Sequence, residues 1–237
     1  MSSAFHLNVT CWGQSKKAGD AETKRKAGKT KRNHPPILVM GMPKSGTTSI
    51  SDFFQCNGFR ASHQYCGVVG FCGLAIRDNL QQQLPPLHGF DKQFDVFTQL
   101  DTNFPPSKCY YPQIQALEEI HQHYPNTTLI LNTRNSSAWL NSVSKWHGMR
   151  GRLTQCDLPG FPEGVGKKDE EMLEFYQNHL ERIREFAKRY PSHHLIEVSI
   201  NDEKAGDILA SAFHLNATCW GQSNKAGDSK TNMKPRK

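Results

Sequence analysis

The chain has 237 residues, 36% of them hydrophobic and 10% aromatic, enough to bury one core and little more than one domain. Its net charge of +7 belongs to the ends: residues 16–34 carry +6 and residues 224–237 carry +4, leaving −3 for the rest, so the basicity reads as solvated tails and excludes a nucleic-acid surface. Seven cysteines without regular ligand spacing argue against a zinc site, and no apolar run of about 20 residues offers a signal segment or membrane span, which leans the expectation toward the cytoplasm.

The first segment of the chain is written twice. Ser3 to Asp20 recurs as Ser211 to Asp228, with only Val9 becoming Ala217 and Lys16 becoming Asn224. A repeat spaced by 208 residues is too long for a solenoid and suits a whole domain. Residues 1–20 therefore read as the duplicated C-terminal segment of a preceding module in a tandem array. Residues 21–34 read as a basic linker, 35–225 as the domain, and 226–237 as a basic tail or linker. Neighbouring modules of such an array are expected partners.

Ile37 to Met40 is a short apolar run suited to a buried parallel strand. Gly41-Met42-Pro43-Lys44-Ser45-Gly46-Thr47-Thr48-Ser49 follows, with small residues where backbone N–H groups converge on an anion at a helix N-terminus. The segment matches the nucleotide-triphosphatase loop G-x-x-x-x-G-K-[ST] at both glycines, but Thr47 stands in the lysine's place and the lysine sits three positions earlier, at Lys44.

Further along, Asp95 to Asp101 reads as a middle strand with Asp101 at its carboxyl end. Tyr111 to Tyr124 aligns Ile114, Leu117, Ile120 and Tyr124 on one helical face. Thr128 to Thr133 is a second apolar strand, after which Arg134-Asn135 leads into a helix from Ser136. Ser142 lies eight residues beyond Arg134, about two turns, so a guanidinium and a hydroxyl can grip one phosphate together. Asp169 to Tyr190 repeats the helical stripe with Met172, Leu173, Tyr176, Leu180, Ile183, Ala187 and Tyr190. The strand His194 to Ile200 and a helix-like stretch Ile208 to Leu215 then lead into the second copy of the repeat. This alternation predicts an α/β fold: a doubly wound parallel sheet with a P-loop-type phosphate-binding loop, in a single three-layer domain. Pro85-Pro86 and the stretch 148–168 read as loops able to cover an acceptor.

Pro43-Lys44-Ser45-Gly46-Thr47-Thr48-Ser49 directly after a hydrophobic strand resembles the 5′-phosphosulfate loop of the sulfotransferase family, and Arg134-Asn135 with Ser142 is similar to that family's 3′-phosphate motif. The resemblance covers roughly residues 36–225. It implies 3′-phosphoadenosine 5′-phosphosulfate as cosubstrate, no metal, and transfer of a sulfuryl group to a hydroxyl or amine of a small-molecule or carbohydrate acceptor. Cys219 to Lys225 resembles the loop by which some carbohydrate sulfotransferases complete the 3′-phosphate pocket, with Ser223 and Lys225 as donors. The equally open alternative is that Trp220 plugs the core.

The family's base stands in strands ending Lys-Thr-His-Leu-Pro, and here the sequence departs. Asp101 is the substitute, with His63 and His88 as further candidates. Other histidines, including His121, His123, His193 and His194, read as solvated helix ends or loops. Cys156 and Cys219 flank the expected pocket and form a disulfide if the protein is secretory; otherwise the cysteines are unpaired thiols. Two other readings stay open. A P-loop kinase requires an acidic metal ligand, whereas the second strand ends Asn132-Thr133-Arg134; a non-catalytic nucleotide-binding module keeps the loops and lacks a working base.

Overall fold

A computed structural model describes residues 34–105 and 107–221. The N-terminal copy of the repeat, most of the basic linker, Ser223, Lys225 and the C-terminal tail lie outside the described residues. Strands β1 (Ile37–Val39), β2 (Ala61–Ser62), β3 (Val96–Phe97), β6 (Thr128–Thr133) and β7 (His194–Ser199) form one sheet in the order β2-β3-β1-β6-β7. Every neighbouring pair is parallel. A separate antiparallel pair, β4 (Thr102–Phe104) and β5 (Lys108–Tyr110), stands outside it.

The central strand is apolar because it is covered on both sides. Ile37 and Val39 enter a core with Ile50, Phe53 and Phe54 of α1 (Thr47–Cys56) and Leu209 of α8 (Ala205–Phe213). Leu38 and Met40 enter the opposite core. That second core holds Ile76 of α2 (Cys72–Gln81), Ile114 of α3 (Pro112–Gln115), Leu117 and Ile120 of α4 (Leu117–His123), and Trp139 and Val143 of α5 (Ser136–Lys145). It also takes in α6 (Met149–Leu153) and the buried stripe of α7 (Asp169–Arg189). The period-two alternation of a buried strand thus feeds two helical layers.

Chain direction positions the site. From β1 the chain crosses by α1 to β2 on one side; from β6 it crosses by α5, α6 and α7 to β7 on the other. Since α1 lies on one face and α5 and α7 on the opposite one, the segments after β1 and β6 part at the carboxyl edge of two adjacent strands. Such a switch point opens a crevice.

Several expectations change. The expected helix 111–124 is two helices, broken at Ala116 where φ is −134°. The expected strand 95–101 shrinks to Val96–Phe97, and Asp101 lies beyond it, just before β4. The stretch 148–168 is no free cover: it contains α6, and Leu153, Cys156, Leu158 and Phe161 are buried in the core.

The cysteine expectations fail too. Cys56 pairs with Cys219, Cys66 with Cys72, and Cys109 with Cys156. Cys219 sits in the turn after α8, against the end of α1 and far in sequence from its partner, while Cys156 after α6 meets β5; neither the pair Cys156–Cys219 nor a set of free thiols results. All six cysteines among the described residues are bonded. Among those residues no helix is long and apolar enough to cross a membrane.

Candidate active site

The turn joining β1 to α1 reverses the chain through two residues of positive φ, Lys44 at 70° and Gly46 at 84°. Gly46 adopts this region freely; Lys44 does so against its Cβ. The turn is held there by bonds to its carbonyl groups. His179 Nε2 from α7 meets Met40 O at 2.7 Å, and the Ser45 N–H returns to Met42 O. The Trp139 indole N–H donates to Pro43 O at 2.9 Å. Arg134 Nη1 donates to Lys44 O at 3.0 Å, and Asn132 Nδ2 to Ser45 O at 2.7 Å.

A trans peptide points its N–H opposite to its carbonyl. Anchoring the carbonyls of Pro43 and Ser45 in the protein body therefore turns the N–H groups of Lys44 and Gly46 to the other side. α1 begins at Thr47, and the first N–H groups of a helix point out along its axis at the amino end. Together they make a positively polarised concavity at a helix N-terminus.

Asn132 clamps the turn from both ends, since its Oδ1 also accepts the Gly41 N–H at 2.8 Å. A Cβ on Gly41 would lie 2.2 Å from that oxygen, so position 41 admits glycine alone. Burial lowers the pKa of His179 to about 4, which keeps its ring neutral and able to present one N–H to Met40 O. Tyr176 stacks on Trp139 at 4.4 Å, accepts the Arg134 N–H through its hydroxyl and donates to Arg134 O. Arg134 is thereby fixed by its backbone, while its Nε is buried without a hydrogen-bond partner.

Two cations share the crevice. Burial, assisted by repulsion from Arg134, lowers the Lys44 pKa to about 8. Its ammonium lies over the Trp146 ring, 3.2 Å from the centroid. Ser142 is half-buried on α5, two turns beyond Arg134. Ser45, Thr47 and Ser49 are buried.

The three base candidates separate. His63, at the end of β2, brings Nε2 to 3.2 Å from Thr47 Oγ1 and 3.3 Å from Thr48 Oγ1, at the head of α1. Burial is the largest influence on its pKa and lowers it, opposed by Asp52 and assisted by Lys44. Asp101 is 3% exposed and lies between the amide groups of Gln99 and Gln113, each 3.4 Å away. Burial raises its pKa to about 6, and it reaches the turn only through Gln99, whose Oε1 accepts from the Thr47 hydroxyl. His88 is exposed in the turns between α2 and β3 and makes no contact with these residues. His193, expected in solvent, is buried, with Nε2 3.2 Å from His121 Nδ1.

A family model described as a sulfotransferase domain matches residues 36–205, from the residue before β1 to the first residue of α8. The chain belongs to the sulfotransferase family. Its activity is accordingly sulfuryl transfer dependent on 3′-phosphoadenosine 5′-phosphosulfate, the cosubstrate that family membership implies. The matched span includes the whole turn, His63, Asp101, Arg134 and Ser142, and ends before Ser223 and Lys225. No curated protein matches the chain. Among the described residues no group of three or more His, Cys, Asp or Glu side chains is arranged to hold a metal ion.

Sequence reasoning missed the residues that shape the sulfotransferase turn: Asn132, Trp139, Tyr176 as a partner of Arg134, His179 and Trp146. One signal was available. His179 interrupts the apolar stripe of α7 between Tyr176 and Leu180, and a polar residue on a buried face requires a partner.

Proposed function

We propose that the turn 41–48 receives the 5′-phosphosulfate of the donor and that Arg134 with Ser142 receives its 3′-phosphate. The observation that carries this reading is the anchoring of the turn's carbonyls to Asn132, Arg134, Trp139 and His179, which leaves N–H groups and the Lys44 ammonium for an anion. Gly46, Thr47, Thr48 and Ser49 contribute amides at the head of α1, Ser45 contributes its side-chain hydroxyl because its own N–H is taken by Met42 O, and the Thr47 and Thr48 hydroxyls flank them. Ser223 and Lys225 remain proposed donors to the 3′-phosphate.

His63 serves as the base in this reading. Its lowered pKa keeps the imidazole neutral near pH 7, and it stands beside the residues facing the transferred group. It takes the acceptor's proton as the acceptor oxygen attacks sulfur. The bond from sulfur to the bridging phosphate oxygen breaks, and the electron pair leaves with the nucleoside 3′,5′-bisphosphate. Lys44 stabilises the charge on that oxygen. Asp101 acts as a positioning residue, holding Gln99 against Thr47.

For the acceptor, Tyr65 lies two residues beyond His63, is 52% exposed, and stacks on Phe71 at 4.6 Å. Phe71 in turn meets Phe104 at 5.3 Å. Partly exposed ring faces close in sequence to His63 suit a sugar ring or a phenol. Three disulfides favour an oxidising compartment over the cytoplasm. A kinase reading loses support because Asn132, at the strand end where a metal-holding carboxylate stands in magnesium enzymes, is committed to Gly41 and Ser45.

The test is transfer of radiolabelled sulfuryl from the donor to a panel of carbohydrates and phenols, with chelator present. Labelled product that disappears in His63→Ala and persists in Asp101→Asn supports the assignment. The reverse pattern gives the base to Asp101.

A further inference from the structure

The second copy of the repeat is built into the fold. Phe213 meets Phe54 edge-on at 5.1 Å, and Trp220 meets Phe53 at 6.0 Å. Trp220 also packs so closely on Gly206 that a Cβ there would lie 2.5 Å from its own. The Asn216 N–H donates to Asn57 Oδ1 while Asn57 Nδ2 donates back to Asn216 O. Leu215 and Ala217 pack against the same core, and Cys219 closes the bond to Cys56. The seat is thus made of α1 and α8 residues and reads an aromatic, a leucine, an asparagine, a cysteine and a tryptophan at fixed spacing.

The N-terminal copy carries the same set at the same spacing: Phe5, Leu7, Asn8, Cys11 and Trp12. Where the resident segment has Ala217, it has Val9, two methyl groups more at a position that already faces apolar neighbours. A seat that recognises these side chains has no means of refusing the second copy.

We propose that the seat at the carboxyl end of α1 is a docking site for residues 3–13 of a second copy of this chain, in exchange for the resident residues 211–221. The covalent step is thiol–disulfide exchange and needs no oxidant. The incoming Cys11 thiolate attacks Sγ of Cys56, the Cys56–Cys219 bond breaks, and Cys219 leaves as a thiolate that takes up the proton Cys11 released. Cys56 is an exposed residue and Cys219 a half-buried one. Because the plug and the seat are different surfaces, the contact is head-to-tail and propagates into linear assemblies. The resident copy is tethered through α8 at high effective concentration, which makes exchange dependent on protein concentration.

Two measurements test this. In the first, wild-type protein is incubated with a reduced synthetic peptide of residues 1–20, and adducts are mapped by mass spectrometry. Attachment at Cys56 at least tenfold faster than for a scrambled peptide of the same composition, and slowed to the scrambled rate by Trp12→Ala in the peptide, is expected. Equal rates for the native and scrambled peptides overturn the proposal. In the second, equal amounts of ¹⁴N- and ¹⁵N-labelled full-length Cys219→Ala protein are mixed in a glutathione redox buffer and digested without reduction. Cys11–Cys56 peptide pairs carrying both labels are expected, together with a ladder of covalent oligomers. Cys56 joined only to glutathione, or only to Cys11 of its own chain, overturns docking between chains.

Discussion

At its amino end α1 is met by side-chain hydrogen bonds radiating from β6, α5 and α7 to a turn with a lysine at positive φ. At its carboxyl end the same helix is met by a disulfide, a reciprocal asparagine pair and aromatic rings packed edge-on. The first end presents polarised N–H groups and cations to an open crevice; the second closes a core. Ten residues separate them. The chemical end is held by directional, individually modest bonds whose sum fixes geometry, whereas the structural end is held by a covalent link and apolar contact. Substitutions of the crevice-facing side chains and of the structural end are therefore expected to dissociate: catalysis falls at the first, stability at the second.

The largest effect is expected at the structural end. Replacing Cys56 and Cys219 together by Ala opens a link across 163 residues, for which loop entropy gives a loss of about 5 kcal/mol. The Cys66–Cys72 link spans only 6 residues and is worth about 2 kcal/mol on the same scale. Urea unfolding of the two double variants measures both, and donor affinity of the folded protein should be unchanged in each. At the chemical end, Lys44→Ala is expected to lower kcat by roughly 10²–10³-fold with donor affinity reduced far less and the melting temperature unmoved. A comparable loss in both kcat and melting temperature would break the comparison.

His63→Ala comes next, with a loss of about 10²-fold in kcat. Its pH signature carries a definite sign. The base works as neutral imidazole, and burial holds its pKa below the ordinary 6.5, so kcat/KM falls only as pH drops through that lowered value. Lys44 works protonated, so kcat/KM falls again as pH rises through about 8. The acid limb should vanish in His63→Ala and persist in Asp101→Asn. The smallest of these effects is that of Asn132→Ala, which leaves the Gly41 N–H and Ser45 O without their buried partner. A loss of about 2 kcal/mol in stability is expected, with a weakened donor site, measured by unfolding and by donor titration.

Much of this comparison was legible in the sequence, and the reasons are local. β6 carries an apolar run, β7 places Leu195, Ile196 and Val198 among polar residues, and α7 carries a stripe at helical period, so their extents follow from the apolar pattern. The turn after β1 is legible because glycine and small residues at fixed spacing have few other uses. β2 and β3 are two residues each, too short to leave a pattern. Which of the three named candidates is best placed to act as base was not legible, because His63 reaches the turn through the parallel pairing of β2 with β3 across the sheet. Disulfide partners were not legible either, since Cys109–Cys156 and Cys56–Cys219 depend on which elements meet in space. Asn132 reads as one more strand residue until the turn folds over it.

In the proposed function the crevice between β1 and β6 grips both phosphate groups of the sulfuryl donor. The most direct test is calorimetry without added metal, comparing 3′-phosphoadenosine 5′-phosphate with adenosine 5′-phosphate and ATP on wild-type and Arg134→Ala protein. Tight binding that needs the 3′-phosphate and is lost in Arg134→Ala is the predicted result. Equal affinity for the three nucleotides, or tighter binding of ATP once magnesium is supplied, would contradict it.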